Sequence, residues 1–193
     1  SGDIYPVFAG GDDCFLIGAW DVIFDIEDEI QQLFATAQLE IRNSLFETVE
    51  EDITLSAALV VVNPNFPMIR LAEEAENALE IAKTSGKNRI TVFGEPLTWQ
   101  EFASAKDIAY QLTELVNKGE SRALIQRVKS SDLGYKSLQN TAVNRGKIEI
   151  PKVHRLKYYL RNGKEENLPV IEKIFDDYTN SLLQDFMNQN ATN

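Results

Sequence analysis

Cysteine and histidine each occur once in this chain of 193 residues. Cys14 therefore has no internal disulfide partner and cannot build a cysteine zinc site. His154 alone excludes any metal centre or catalytic dyad that needs two imidazoles. No apolar run reaches the roughly 18 residues that a membrane-spanning helix requires. No basic, apolar leader precedes a cleavage site, so the expected setting is a reducing cytoplasm with no membrane. Glycine is sparse, ten residues in all, so an adjacent pair at Gly10 and Gly11 stands out. Hydrophobic residues at 44% and charged residues at 25% are those of a chain that folds.

Basic charge is scarce in one half only. Residues 1–95 carry 18 acidic and 5 basic side chains, whereas residues 96–193 carry 12 and 14. From Lys118 to Lys164 there are 12 Lys/Arg against 3 Asp/Glu. A net charge of −11 excludes a free nucleic-acid binder of the usual basic kind. The local basic stretch can still meet a phosphate backbone or an acidic subunit.

The pattern changes where the charge does. Ile4–Ala9 and Cys14–Gly18 are predicted strands joined through Gly10-Gly11-Asp12-Asp13, a run of turn formers. A helix is predicted from Asp21 to about Phe46, with Ile23, Ile26, Ile30, Leu33, Phe34, Ala37, Ile41 and Leu45 on its inner face. Ile53–Val62 is β-branched and nearly continuous, as in a strand covered on both faces. A helix from Pro67 to about Thr84 follows, with Gly86 just past its end, and then a strand over Asn88–Phe93. This order predicts an α+β sandwich with a mostly antiparallel sheet.

Gly94-Glu95-Pro96 is the predicted boundary, dividing the chain into a first domain over 1–95 and an all-α domain over 96–193. Thr98 and Glu101 have capping-box spacing. Phe102, Ala105, Ala109, Leu112 and Val116 then form one helical stripe, followed by Leu124, Ile125 and Val128. Further helices are expected from Pro151 through Tyr159 and from Leu168 to Phe186.

Two carboxylates on successive residues at a glycine turn have a specific chemical use. Glycine lets a phosphate approach the backbone, and carboxylates are hard ligands that hold Mg²⁺ or Mn²⁺ against a triphosphate. Gly-Gly-Asp-Asp is also plain turn chemistry, so the four residues alone leave both readings open. The apolar arms Tyr5–Ala9 and Cys14–Gly18 predict that the acidic pair sits at the tip of a buried hairpin.

The text around the turn goes further. "VFAGGDDCFLIGAW" at 7–20, "ITLSAALVVVNPNFPMIRLAEEAENALEIAK" at 53–83, "GKNRITVF" at 86–93 and "GEPLTWQEF" at 94–102 resemble the second palm domain of type III CRISPR large subunits, with its exit into a helical domain. The palm is also similar to GGDEF diguanylate cyclases, but Asp13 stands where those have Glu. Ala58 stands where the family often has glycine, a mild departure, and Ser56 beside it is read as packing.

The resemblance implies a partial ferredoxin-like palm lacking its first strand and helix, so the chain is expected to be a C-terminal piece of a larger subunit. It implies nucleotidyl transfer in the intact subunit, making cyclic oligoadenylates from ATP on target-RNA binding, with antiviral defence as the role. Asp12 and Asp13 would be the catalytic and metal-binding residues, and Gly10 and Gly11 would allow close approach of the nucleotide. Lys83 and Lys87 match the family's phosphate-meeting positions, although cations at a helix C-terminus are favourable in any case. Missing upstream residues would supply another metal-binding carboxylate and most of the nucleobase pocket, so the isolated chain is expected to be inactive. With one histidine it cannot form the family's HD nuclease site.

The basic stretch 118–164, with Tyr135, Tyr158 and Tyr159 interleaved, is expected to dock on other subunits of the complex and near guide RNA and target RNA. A solvated surface with tyrosines in the core is the plainer account. Two further readings stay open for the palm: a degenerate ribonucleoprotein scaffold, and a GTP-using diguanylate cyclase.

Overall fold

The computed structural model describes residues 4–44, 53–126, 158, 164–174, 176, 177 and 180. The chain divides into two compact units, Ser1–Ala105 and Lys106–Asn193.

The first unit is α+β. Strands β1 (Ile4–Gly10) and β2 (Asp13–Gly18) form an antiparallel hairpin, followed by helix α1 (Trp20–Ser44). Strand β3 (Ala57–Leu59), helix α2 (Met68–Thr84), and strands β4 (Arg89–Val92) and β5 (Glu95–Thr98) come next, and then helix α3 (Trp99–Asn117). The strands make two sheets among the described residues: β1-β2, and β3-β4-β5. The expectation of mostly antiparallel pairing needs one amendment, because β3 and β4 are parallel. The reason is the connection: α2 crosses over between them, and a helical crossover returns the chain in the same direction.

The sheet β3-β4-β5 is covered on both faces. Ile90 and Val92 point to one side and pack with Leu59 and Phe102, joined by Ile23, Phe24, Ala57, Leu97 and Trp99. Aromatic contacts bind this cluster, Phe24 to Phe102 at 6.3 Å and Trp99 edge-on to Phe102 at 6.5 Å between centroids. The Trp99 indole N–H donates to the Leu55 carbonyl at 3.1 Å. Alternation puts Thr91 on the other side, where α2 packs with Ala78 and Ala82 buried. Small residues there let helix and sheet approach closely. Thr91 Oγ1 is buried with no hydrogen-bond partner among the described residues.

Several expectations are corrected. The long strand predicted over Ile53–Val62 pairs only at Ala57–Leu59, because its partner β4 is four residues long; Ile53 and Val61 lie exposed. At Gly94-Glu95-Pro96 the chain makes a tight hairpin from β4 into β5. Phe93 (φ +51) and Gly94 (φ +81) form its two-residue turn, the positive-φ pattern that matches strand twist. Pro96 is tolerated because β5 is an edge strand. Leu33, expected on the inner face of α1, is exposed.

In α3 the capping box forms as the spacing predicted. Thr98 N donates to Glu101 Oε2 at 2.7 Å, and Glu101 N donates to Thr98 Oγ1 at 3.2 Å. The expected stripe is partly wrong: Ala105 and Ala109 are exposed, while Ile108, Leu112 and Leu115 turn inward.

The second unit has its own core of Leu115, Leu124, Ile171 and Ile174. Helix α3 ends there in a Schellman motif, with Gly119 N bonded to Val116 O and Glu120 N to Leu115 O. The predicted helices over Pro151–Tyr159 and beyond Asn180, and Val128, lie outside the described residues apart from Tyr158.

Candidate active site

The site is built on the β1–β2 hairpin. Gly10 pairs with Asp13, so the turn itself is only Gly11 and Asp12. Gly11 has φ +64 while Asp12 does not have positive φ, the pattern of a type II′ turn with glycine at its first central position. A side chain at Gly11 would meet nothing within 4 Å, so what that position requires is the backbone conformation rather than space. Asp12 therefore projects from the turn and Asp13 from the first residue of β2, both exposed. Neither carboxylate is joined to a lysine or arginine among the described residues.

The hairpin is not buried, contrary to expectation. Tyr5 is 68% and Phe8 55% exposed, and Val7 is exposed as well. A bulge between Pro6 and Phe8 explains how the exposed set is arranged: the register passes from Pro6↔Leu16 to Phe8↔Phe15, leaving Val7 as the extra residue. One face of the ribbon then holds Ile4, Pro6, Ala9, Cys14, Leu16 and Gly18. Helix α1 meets that face only at its base, where a Cβ on Gly18 would lie 3.1 Å from Ile23 Cδ1, while Pro6, Ala9 and Cys14 toward the tip are exposed. The other face carries Tyr5, Phe8, Gly10, Asp13, Phe15 and Ile17.

Lys83 and Lys87 sit elsewhere in the fold. Lys83 is in the last turn of α2, and Lys87 follows the helix with φ +57, after Gly86 at +121 and before Asn88 at +48. Lys87 N donates to Ala82 O at 3.2 Å, closing the helix and fixing this unusual turn. A left-handed lysine costs about 1 kcal/mol, so the turn is over-determined by its surroundings. Both lysines are exposed, and neither bonds to Asp12 or Asp13.

Two exposed carboxylates are hard oxygen donors of the kind Mg²⁺ or Mn²⁺ accepts, one or two from protein and the rest from phosphates and water. Among the described residues no group of three or more acidic, histidine or cysteine side chains comes together. The pair fits such an ion as part of a donor set. Phe8 shares the face of Gly10 and Asp13, a placement its spacing of two from Gly10 on a strand already signals.

A family model described as Cas10/Cmr2, second palm domain, matches residues 1–91. Over those residues the chain belongs to the Cas10/Cmr2 second palm family. The Cas10-type match extends further in a relative from Methanocaldococcus jannaschii, a CRISPR system single-strand-specific deoxyribonuclease Cas10/Csm1 of subtype III-A. It is 31% identical over 151 residues, covering 68% of this chain and 18% of the relative. The protein of the same description from Thermococcus onnurineus is 34% identical over 92 residues, covering 48% of this chain and 10% of the relative. That of Mycobacterium tuberculosis is 28% identical over 101 residues, 51% of this chain and 11% of the relative. The chain thus spans less than a fifth of the length of these curated relatives. No solved structure matches it. None of the described helices is long and apolar enough to cross a membrane.

Proposed function

We propose that this chain is the C-terminal region of a type III CRISPR large subunit and carries part of its ATP-cyclising site. In the intact subunit, nucleotidyl transfer makes cyclic oligoadenylates from ATP once target RNA is bound. A ribose 3′-oxygen attacks an α-phosphorus; the new O3′–P bond forms as the bond to the β-phosphate oxygen breaks. Pyrophosphate leaves, and the hydroxyl proton passes to solvent. Asp12 and Asp13 would hold Mg²⁺ or Mn²⁺, which when bound neutralises triphosphate charge and lowers the pKa of the attacking hydroxyl. Gly10 and Gly11 let the nucleotide approach the backbone, and Lys83 and Lys87 supply phosphate-binding charge. The division into a palm over 1–95 and a docking domain over 96–193, with guide RNA, target RNA and sister subunits as partners of stretch 118–164, belongs to the same reading. Of that stretch, residues 127–157 and 159–163 lie outside the described residues.

One observation carries the proposal: two adjacent, exposed carboxylates on a type II′ glycine turn, inside the residues that match the Cas10/Cmr2 second palm. The test is the intact subunit, assembled with its partners and RNA, given labelled ATP and Mg²⁺ or Mn²⁺. Cyclic oligoadenylates are expected from the wild type. Asp12→Ala with Asp13→Ala should lower their yield by at least about 10²-fold and leave assembly intact. No product from the wild type would leave the scaffold reading, and turnover of GTP instead would make the protein a diguanylate cyclase.

A further inference from the structure

The bulged strand β1 presents an aromatic ring beside the acidic turn that has no occupant assigned to it. Without the bulge at Val7, alternation from Tyr5 would put Val7 and Ala9 on the face of Asp13. With it, Phe8 and Gly10 take that face instead. The Phe8 ring leans along the strand toward the tip: its Cζ and Cε2 lie 3.3 and 3.6 Å from where a Cβ on Gly10 would stand. Glycine at position 10 is what makes room for the ring. Despite that contact Phe8 remains 55% exposed.

We propose that Phe8 is the stacking platform for the purine base of the nucleotide whose phosphates lie at Asp12 and Asp13. This rests on the nucleotidyl-transfer reading and adds a residue to it. Asp13 pairs with Gly10, and Phe8 lies two residues back along the same face, about 7 Å away. A separation of that order suits a nucleotide whose phosphate end meets the carboxylates and whose base, one ribose away, reaches the ring. A nucleobase offers the flat, apolar face that an exposed phenyl ring can cover, and stacking needs no hydrogen-bond partner on the protein.

The test is steady-state kinetics of oligoadenylate synthesis by the intact, RNA-bound complex, with assembly checked for every variant. Phe8→Ala and Phe8→Leu should each raise the KM for ATP by roughly 5- to 150-fold, the span of base–aromatic stacking. The kcat should stay near wild type, because stacking binds ground state and transition state alike. Phe8→Tyr should restore the wild-type KM. Phe8→Leu is the deciding variant, since it keeps apolar packing over Gly10 and removes only the π face. A wild-type KM in Phe8→Leu overturns the proposal, as does a loss confined to kcat. If Phe8→Ala fails to assemble, Phe8→Leu and Phe8→Tyr still decide. A wild-type complex that makes no nucleotidyl product would instead overturn the function itself, so the two failures are distinguishable.

Discussion

Glu120 shows how a single carboxylate can tie segments of the second unit together. Its Oε1 accepts from Lys164 N at 2.7 Å and from Asn167 Nδ2 at 2.9 Å, while the Lys164 ammonium donates to the Lys118 carbonyl at 3.4 Å. The Asn167 hydrogen bond foremost, then the Lys164 N–H and ammonium and the Ser121 N–H, hold the Glu120 carboxyl below its usual range, against an opposing push from burial. A carboxyl with a lowered folded-state pKa binds fewer protons folded than unfolded. Its stabilisation is therefore complete above the ordinary carboxylate pKa and is lost as pH falls through the folded value. Thermal melts of this chain between neutral pH and about pH 3 should show wild type more stable than Glu120→Gln at neutral pH, with the gap closing in acid. A gap that is constant with pH would mean that the charge is irrelevant. Gly119 is also fixed here, because its φ of +94 is one that L side chains rarely adopt.

At the scale of elements, the joint between sheet and helix is set by a few local signals. The capping box at Thr98 and Glu101 starts α3 immediately after β5. It sends Phe102 back into the cluster of Ile90, Val92 and Leu59. Thr98→Ala removes the acceptor for the Glu101 N–H and should cost about 1 kcal/mol in chemical denaturation. Phe102→Ala should cost about 3–5 kcal/mol, because it opens a cavity in a fully packed aromatic group. If the two costs came out equal, the ring would not be anchoring the core. The capping box was legible because it is a matter of spacing within four residues. The β4–β5 hairpin was not: Phe93 is a bulky residue at positive φ, 75% exposed and 6.2 Å from the Phe24 ring between centroids. Propensity argues against such a residue in a two-residue turn, and only the ladder Arg89↔Thr98 to Val92↔Glu95 imposes it.

On the scale of the molecule, the first unit carries an unusual load of uncovered apolar surface around its acidic turn. The hairpin leaves Tyr5, Val7 and Phe8 exposed. Two carboxylates without a third acidic, histidine or cysteine neighbour among the described residues make an incomplete donor set. The 193-residue chain by itself is accordingly expected to convert no labelled ATP above background with either Mg²⁺ or Mn²⁺, whereas the proposed function expects conversion by the whole subunit in its complex. Robust synthesis by the chain alone would show that Asp12 and Asp13 need no further protein ligand.

What the sequence determined by itself was everything written in short-range chemistry: the Gly-Gly-Asp-Asp turn, the glycine that ends α2, and the capping box. Those features depend on residues within one or two turns of each other, where steric rules and hydrogen-bond reach leave few alternatives. Tertiary structure alone decided which strands pair, that β3 contributes only three residues, and that the hairpin stands exposed. It also decided that one bulged residue turns Phe8 onto the face of Asp13. Pairing and exposure depend on what lies across the sheet, and a one-residue shift in register exchanges the two faces of a strand.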